Sequence, residues 1–226
     1  MTARISIVVP VLDEAAAIGP ALQALQGWRS DGHEVIVVDG GSSDATATLA
    51  ATGADRVLTA PRGRAAQMNA GAAAARADIL LFLHADTRLP PDAAGVIVAA
   101  VVDGRADWGR FDVVIAGESG WLPVVARLMN WRSRWTGIAT GDQAIFVRRA
   151  AFDAVGGYPV QPLMEDIELS RRLRRRGPPA CLRQRVVTSG RRWDRRGAWR
   201  TIVLMWELRL MYWLGTPADR LARRYR

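Results

Sequence analysis

The sequence predicts an α/β fold: a mostly parallel, doubly wound sheet flanked by helices, followed by a basic helical C-terminal segment. Three observations carry that expectation. First, the opening ninety residues hold four short apolar runs, each ending in polar turn residues and separated from the next by a helix-like stretch, so they read β-α-β-α-β-α-β. Short connections in that alternation imply parallel strands with right-handed crossovers. Second, Leu80 to Leu83 are apolar without polar alternation, as a central strand covered on both faces requires. Third, charge is segregated. Residues 1–170 carry 14 Arg against 19 acids, a net of −5, while residues 171–226 carry 17 Arg against three acids, a net of +14.

The elements follow in order. Ile5-Ser6-Ile7-Val8-Val9 is a strand that runs into Pro10 and Asp13-Glu14. Ala15 to Trp28 is helical and ends near Gly27 and Asp31-Gly32. Glu34 to Val38 is the second strand, and Asp39-Gly40-Gly41-Ser42-Ser43-Asp44 is its loop, with Ser43 or Asp44 as the N-cap of a helix to about Thr52. A short strand from Arg56 to Thr59 precedes Pro61-Arg62-Gly63-Arg64, and Ala65 to Ala75 is an alanine-rich helix. The apolar run at Leu80 then ends in His84-Ala85-Asp86. In extended chain, residues i and i+2 share a side, so His84 and Asp86 are expected to face one crevice at a strand's carboxyl end. Beyond it we expect a helix from Asp92 to Val102, a strand near Phe111 to Ile115, a helix from Trp121 to Trp135, a strand from Ala144 to Val147 and a basic helix from Asp166 to Arg176.

The domain reading is one unit over 1–196, in two parts (1–103 and 104–196), then a basic aromatic helix within 197–226. Thr201 to Leu214 is too short, and too interrupted by Glu207 and Arg209, to span a bilayer. Packing on the domain and lying in a bilayer interface both stay open for it. Cys181 is the single cysteine, which excludes a disulfide framework or a cysteine zinc site. With no secretory signal, the expected setting is cytoplasmic, with peripheral contact on the inner face of the cell membrane left open. All 31 basic residues are Arg.

Acidic residues gather where strands end: Asp13-Glu14, then Asp39 and Asp44, then Asp86. Carboxylates collected at one sheet edge repel unless a cation or a donor-rich ligand sits among them. No Gly-x-Gly-x-x-Gly follows the first strand, and no Walker-type Gly-Lys-Ser/Thr exists, which argues against dinucleotide and P-loop folds.

Four stretches in order now carry a resemblance: Ile7 to Glu14, Val37 to Asp44, Leu83 to Asp86, and Met164-Glu165-Asp166. Over roughly residues 5–190 the chain resembles family-2 glycosyltransferases of the A-type glycosyltransferase fold, in a compact bacterial subgroup with His-Ala-Asp in place of Asp-x-Asp. The resemblance implies an inverting transfer from a nucleoside-diphosphate sugar, UDP-linked by preference, to an acceptor hydroxyl or lipid phosphate. It implies that Asp39 accepts a hydrogen bond from the base, with Pro10, Asp13, Glu14 and Ser42 beside the nucleoside. Arg62, Arg64 and Asn69 would help to shape the donor pocket with His84, Ala85 and Asp86. Asp86 would hold Mn²⁺ or Mg²⁺ against the diphosphate, with His84 as a second ligand or as a ribose or phosphate contact. Asp166 would be the base, Glu165 its support and Asp142 the runner-up. Arg191-Arg192-Trp193 is loosely similar to the basic-aromatic segment of larger relatives. The full Gln-x-x-Arg-Trp motif is absent, which argues against processive polymer synthesis. Two other readings are a nucleic-acid-binding protein acting through the Arg-rich tail and a non-catalytic scaffold. The acidic strand ends oppose the first, and the presence of Asp39, Asp86 and Asp166 opposes the second.

Overall fold

The structure is a computed structural model and describes residues 3–225, without the side chains of Arg192, Arg195, Arg196 and Ala198. Eight strands form one sheet: β1 (Ile5–Val11), β2 (Glu34–Asp39), β3 (Arg56–Thr59), β4 (Ile79–Phe82), β5 (Thr87–Arg88), β6 (Trp108–Ala116), β7 (Phe146–Arg148) and β8 (Ala180–Ser189). Their order is β3-β2-β1-β4-β7-β6-β8-β5. The first four pair in parallel, as the β-α alternation requires. The short β7 inserts antiparallel between β4 and β6, while β6 and β8 are parallel.

Period-two alternation divides the core. Ile5, Ile7, Val9 and Leu81 face one layer with Phe111 and Phe146. Val8, Leu80 and Phe82 face the other with Trp108 and Leu169. Each fully buried aliphatic side chain contributes about 1.5–3 kcal/mol of transfer free energy. The helix α4 (Arg64–Ala74) lies so close to β1 that a Cβ on Gly71 would come within 2.3 Å of Val8 Cγ1. Glycine is therefore what lets this helix dock.

Several boundaries differ from the expectation. The first helix is two, α1 (Ala15–Ala24) and α2 (Gln26–Ser30). The next, α3 (Thr46–Ala50), has Ala45 rather than Ser43 or Asp44 at its N-cap, and Asp44 instead accepts the Thr46 N–H at 2.9 Å. The helix α5 (Ala93–Val98) continues as a π-helical turn through Asp103. Strand β4 stops at Phe82, and Thr87 N–H donates to His84 C=O at 3.0 Å. His84-Ala85-Asp86 is thus a turn, so the i, i+2 argument for a strand does not apply to it. Strand β8 was not expected at all: Arg183, Gln184 and Arg185 break its apolar pattern.

The remaining helices are α6 (Leu122–Thr136), α7 (Arg149–Ala154), α8 (Glu165–Arg174), α9 (Arg191–Arg196), α10 (Ala198–Trp213) and α11 (Ala218–Tyr225). Leu208 and Leu221 pack with Met164, which fixes α10 and α11 against the entry to α8. One face of α10 is therefore packed on the domain. No helix among the described residues is long and apolar enough to cross a membrane.

Candidate active site

The carboxyl ends of β1 and β2 are stitched together by their own acids. Asp39 is 5 % exposed and accepts the N–H groups of Gly41 (3.1 Å) and Ser42 (3.0 Å) as well as the Ser42 hydroxyl. Asp13, at φ 52°, accepts the Ser43 N–H at 2.7 Å, and its own N–H donates to Ser42 Oγ at 2.9 Å. Glu14 N–H donates to Thr46 Oγ1 and Ala15 N–H to Asp44. The Thr46 hydroxyl, with backbone N–H groups, holds the Asp44 pKa below its usual value. Beneath this rim, buried Gln67 donates to the carbonyls of Val11 (2.7 Å) and Val38 (2.9 Å), tying the two strand ends from below. Sequence reasoning missed Gln67; nothing in an alanine-rich helix flags one glutamine.

A second group lies across from the rim. Arg191 Nη2 reaches both Glu14 oxygens, at 2.5 and 2.7 Å, and stands 3.4 Å from Asp86 Oδ2. Partial burial raises the Asp86 pKa, Asp142 and Glu14 add to this, and His84 and Arg191 oppose it. His84 Nδ1 lies 3.5 Å from Asp142 Oδ1. A Cβ on Gly141 would come within 2.6 Å of the imidazole, so only glycine admits this pairing without displacing the ring. Gly141 N–H in turn donates to Asp166 Oδ2 at 2.9 Å, and Ile167 N–H donates to Asp166 Oδ1. Two linked groups thus lie across the sheet edge: Arg191 bridges Glu14 and Asp86, while His84 meets Asp142 and the adjoining Gly141 backbone is bonded to Asp166.

These groups perturb one another. The protein crowding Asp142 works to raise its pKa, but the His84 hydrogen bond and charge, with Arg64 and Arg209, outweigh that and lower it. Burial raises Glu165, and the like charge of Asp166 adds to it. Crowding works to lower Arg64, yet Glu165, Asp142 and Asp166 more than compensate and its pKa is raised. Arg209, on α10, is lowered by burial, with Asp166 and Asp142 partly offsetting this. Arg132, on α6, is pulled down to about 9 by burial, with the charges of Arg209 and Arg110 acting in the same direction. It remains a cation at neutral pH, and its Nε and Nη2 are shielded from solvent without a hydrogen-bond partner among the described residues. Buried polar atoms left unpaired are uncommon and costly. Arg132 and Arg209 were not singled out by sequence, where they read as ordinary members of basic helices.

The other expected residues fall as follows. Pro10 lies near the end of β1, Ala85 is buried in the turn, and Arg62 is exposed on the loop before α4. Asn69 uses both ends of its amide on Tyr158, accepting its N–H at 2.9 Å and donating to its C=O at 2.8 Å. Asn69 therefore straps the 157–158 segment to α4. The side chain of Arg192, in Arg191-Arg192-Trp193, lies outside the described residues. No group of three or more His, Cys, Asp or Glu is gathered at metal-holding distance among the described residues. A partly exposed carboxylate such as Asp86 nonetheless suits a divalent ion that takes its remaining ligands from diphosphate and water.

Comparison with known proteins fits this geometry. The family model described as "Glycosyl transferase family 2" matches residues 6–156. The chain is 25 % identical over 194 residues to the probable glycosyltransferase YdaM of Bacillus subtilis, covering 75 % of this chain and 46 % of that protein. It is 30 % identical over 161 residues to the undecaprenyl-phosphate 4-deoxy-4-formamido-L-arabinose transferase of Pseudomonas paraeruginosa, covering 64 % and 46 %. The chain thus spans about half the length of these curated relatives. Among solved structures, glucosyl-3-phosphoglycerate synthase of Mycobacterium tuberculosis, in complex with Mn²⁺, UDP and phosphoglyceric acid, superposes with TM-score 0.65 at 21 % identity, over 95 % of this chain and 80 % of that one. S. aureus TarS 1–349 with UDP-GlcNAc gives TM-score 0.66 at 15 % identity, over 82 % and 58 %. These similarities establish the A-type glycosyltransferase fold.

Proposed function

The chain belongs to glycosyl transferase family 2, and from that premise we propose that it moves a sugar from a nucleoside-diphosphate donor, UDP-linked by preference, to a phosphate-bearing acceptor with inversion. The observation that carries this reading is the gathering of two linked groups, Glu14–Arg191–Asp86 and His84–Asp142 with the Gly141 backbone bonded to Asp166. It joins a stitched nucleoside rim to a wall where carboxylates meet unpaired arginine.

In this reading Asp39, Asp13, Glu14 and Ser42 form the nucleoside rim, beside Pro10. Arg62 and Arg64 approach the diphosphate from the loop before α4 and from its first turn. Asp86, with His84 beside it, would hold Mn²⁺ or Mg²⁺. When bound, the ion supplies Lewis-acid stabilisation to the departing nucleoside diphosphate. Arg191 is already on Asp86 and Glu14, so it is the side chain that yields or adapts as the donor enters. Asp166 accepts the proton of the acceptor oxygen, with Glu165 beside it at the start of α8 as its support. Asp142, held low by His84, is the weaker base.

Arg132 and Arg209 beside Asp166 favour an acceptor with a phosphate over one with only a hydroxyl. A phosphate would give the shielded Arg132 guanidinium a bidentate partner. Relatives named as undecaprenyl-phosphate transferases support a lipid-linked acceptor.

The test is a thermal-shift and product-release screen. UDP with Mn²⁺ at about 100 times Kd should raise the melting temperature by about 5–10 °C, and Asp86→Ala should remove the metal-dependent part. Release of nucleoside diphosphate should require polyprenyl phosphate and not polyprenol. No shift with any nucleoside diphosphate would sink the donor reading, and equal turnover with polyprenol would sink the phosphate reading.

A further inference from the structure

The large exposed apolar residues of this chain are concentrated on two helices. On α6 and its N-cap they are Trp121, Val124, Leu128, Trp131 and Trp135; on α10 they are Trp199, Val203, Trp206, Leu210 and Trp213. Both sets follow alternating steps of three and four, so each forms one stripe along its helix. Six of the nine tryptophans in the chain stand on these stripes, and Trp135 and Trp213 are each 80 % exposed. A soluble domain seldom leaves such a patch open without a use for it.

The two stripes share a plane. Trp121 and Trp199 are in ring contact, with centroids 6.3 Å apart, and near the other ends the charges of Arg132 and Arg209 act on each other. The helices therefore point the same way and lie near each other without close backbone packing, and Arg132 and Arg209 lie on their facing sides. At about 100° per residue, the α6 stripe is centred about 60° to one side of Arg132, and the α10 stripe about 80° to the opposite side of Arg209. For two parallel neighbours, opposite rotations from the shared edge lead to the same side of the pair. The buried residues Val125 on α6 and Leu208 on α10 lie on the other side by the same reckoning.

We propose that α6 and α10 together form a docking face for an anionic lipid bilayer. Three features favour lipid over a second copy. Tryptophan is the side chain that settles at the headgroup boundary, with its ring in acyl carbon and its N–H among polar groups. No acidic residue stands on either stripe; exposed Arg127, Arg134 and Arg200 border them, and Glu207, which also borders the α10 stripe, is paired with Arg224. The helical tail belongs to the segment with 17 Arg against three acids, which an anionic leaflet attracts. The helices would lie in the interface without spanning it. This inference stands on the surface alone; resting additionally on the reading above, it would place Arg132 and Arg209 just inside the face from which a lipid phosphate arrives.

Vesicle flotation tests it with the full chain. The protein should float with phosphatidylcholine–phosphatidylglycerol vesicles, float poorly with phosphatidylcholine alone, and show blue-shifted tryptophan emission when bound. Trp135→Ser combined with Trp213→Ser should weaken partitioning about tenfold or more, with the melting temperature and UDP-induced shift unchanged. Failure to bind anionic vesicles would overturn the proposal, as would a double variant that floats like the unaltered protein. Sedimentation equilibrium showing a dimer that the double variant dissociates, without vesicle binding, would assign the face to a second copy and likewise overturn it.

Discussion

The proposed nucleoside rim and the proposed acceptor wall are both rich in carboxylates, yet they use them in opposite ways. On the rim, Asp39, Asp13 and Asp44 accept backbone N–H and hydroxyl groups from the neighbouring loops, and the acids serve as rivets. On the wall, Asp86, Asp142 and Glu165 face arginines, a histidine and each other, and their pKa values move in different directions. Saturated carboxylates hold shape; carboxylates left in tension with neighbouring charges are the ones poised to exchange protons or ligands. The same residue type at the same sheet edge therefore carries structure on one side and chemistry on the other.

That contrast can be broken by mutation. The largest effect is expected for Asp166→Asn, with kcat reduced by about 10²–10⁴ and the melting temperature preserved. If the acceptor oxygen belongs to a phosphate, this loss should shrink as pH rises and the acceptor gives up its own proton; a pH profile of kcat checks this. On the rim, Asp39→Ala should instead lower stability by about 1–3 kcal/mol, since it strands the Gly41 and Ser42 donors, and denaturant unfolding reads it directly. An Asp39→Ala variant as stable as the unaltered protein would overturn the structural role assigned to the rim.

The smallest effect concerns Glu165. Its folded pKa is raised by burial and by Asp166, so its contribution is fully present below the unfolded carboxylate pKa and is lost as pH rises through the folded value. Glu165→Gln should therefore flatten the stability profile across that window and leave the protein at least as stable at neutral pH. Melting curves at a series of pH values measure it.

The parallel half of the fold was open to reading because each strand there announces itself: an apolar run, a polar turn, then a helix. The later half was less open. Strand β8 carries Arg183, Gln184 and Arg185 through a register shift opposite Phe111 and Asp112, so no regular pattern marks it. In the site, the strand ends put Asp13, Asp39 and Asp86 at one edge, and the family resemblance added Asp166. Neither could show that His84 turns to Asp142, because that depends on Gly141 leaving room for the ring. Nor could they single out Arg132 and Arg209 among 31 arginines, since only the approach of α6 to α10 distinguishes them.

The insertion of β7 between β4 and β6 has a consequence for the nascent chain. Leu81 pairs with Phe146, and nothing nearer in sequence closes that edge of β4. At roughly 5–20 residues per second, a ribosome takes several seconds to deliver β7 after β4 has emerged. During that interval the four parallel strands present an open apolar edge, the kind of template on which chains aggregate. Truncations ending between Phe82 and Phe146 would lock the protein in that exposed intermediate, so the three-residue strand acts as the closing stitch of synthesis.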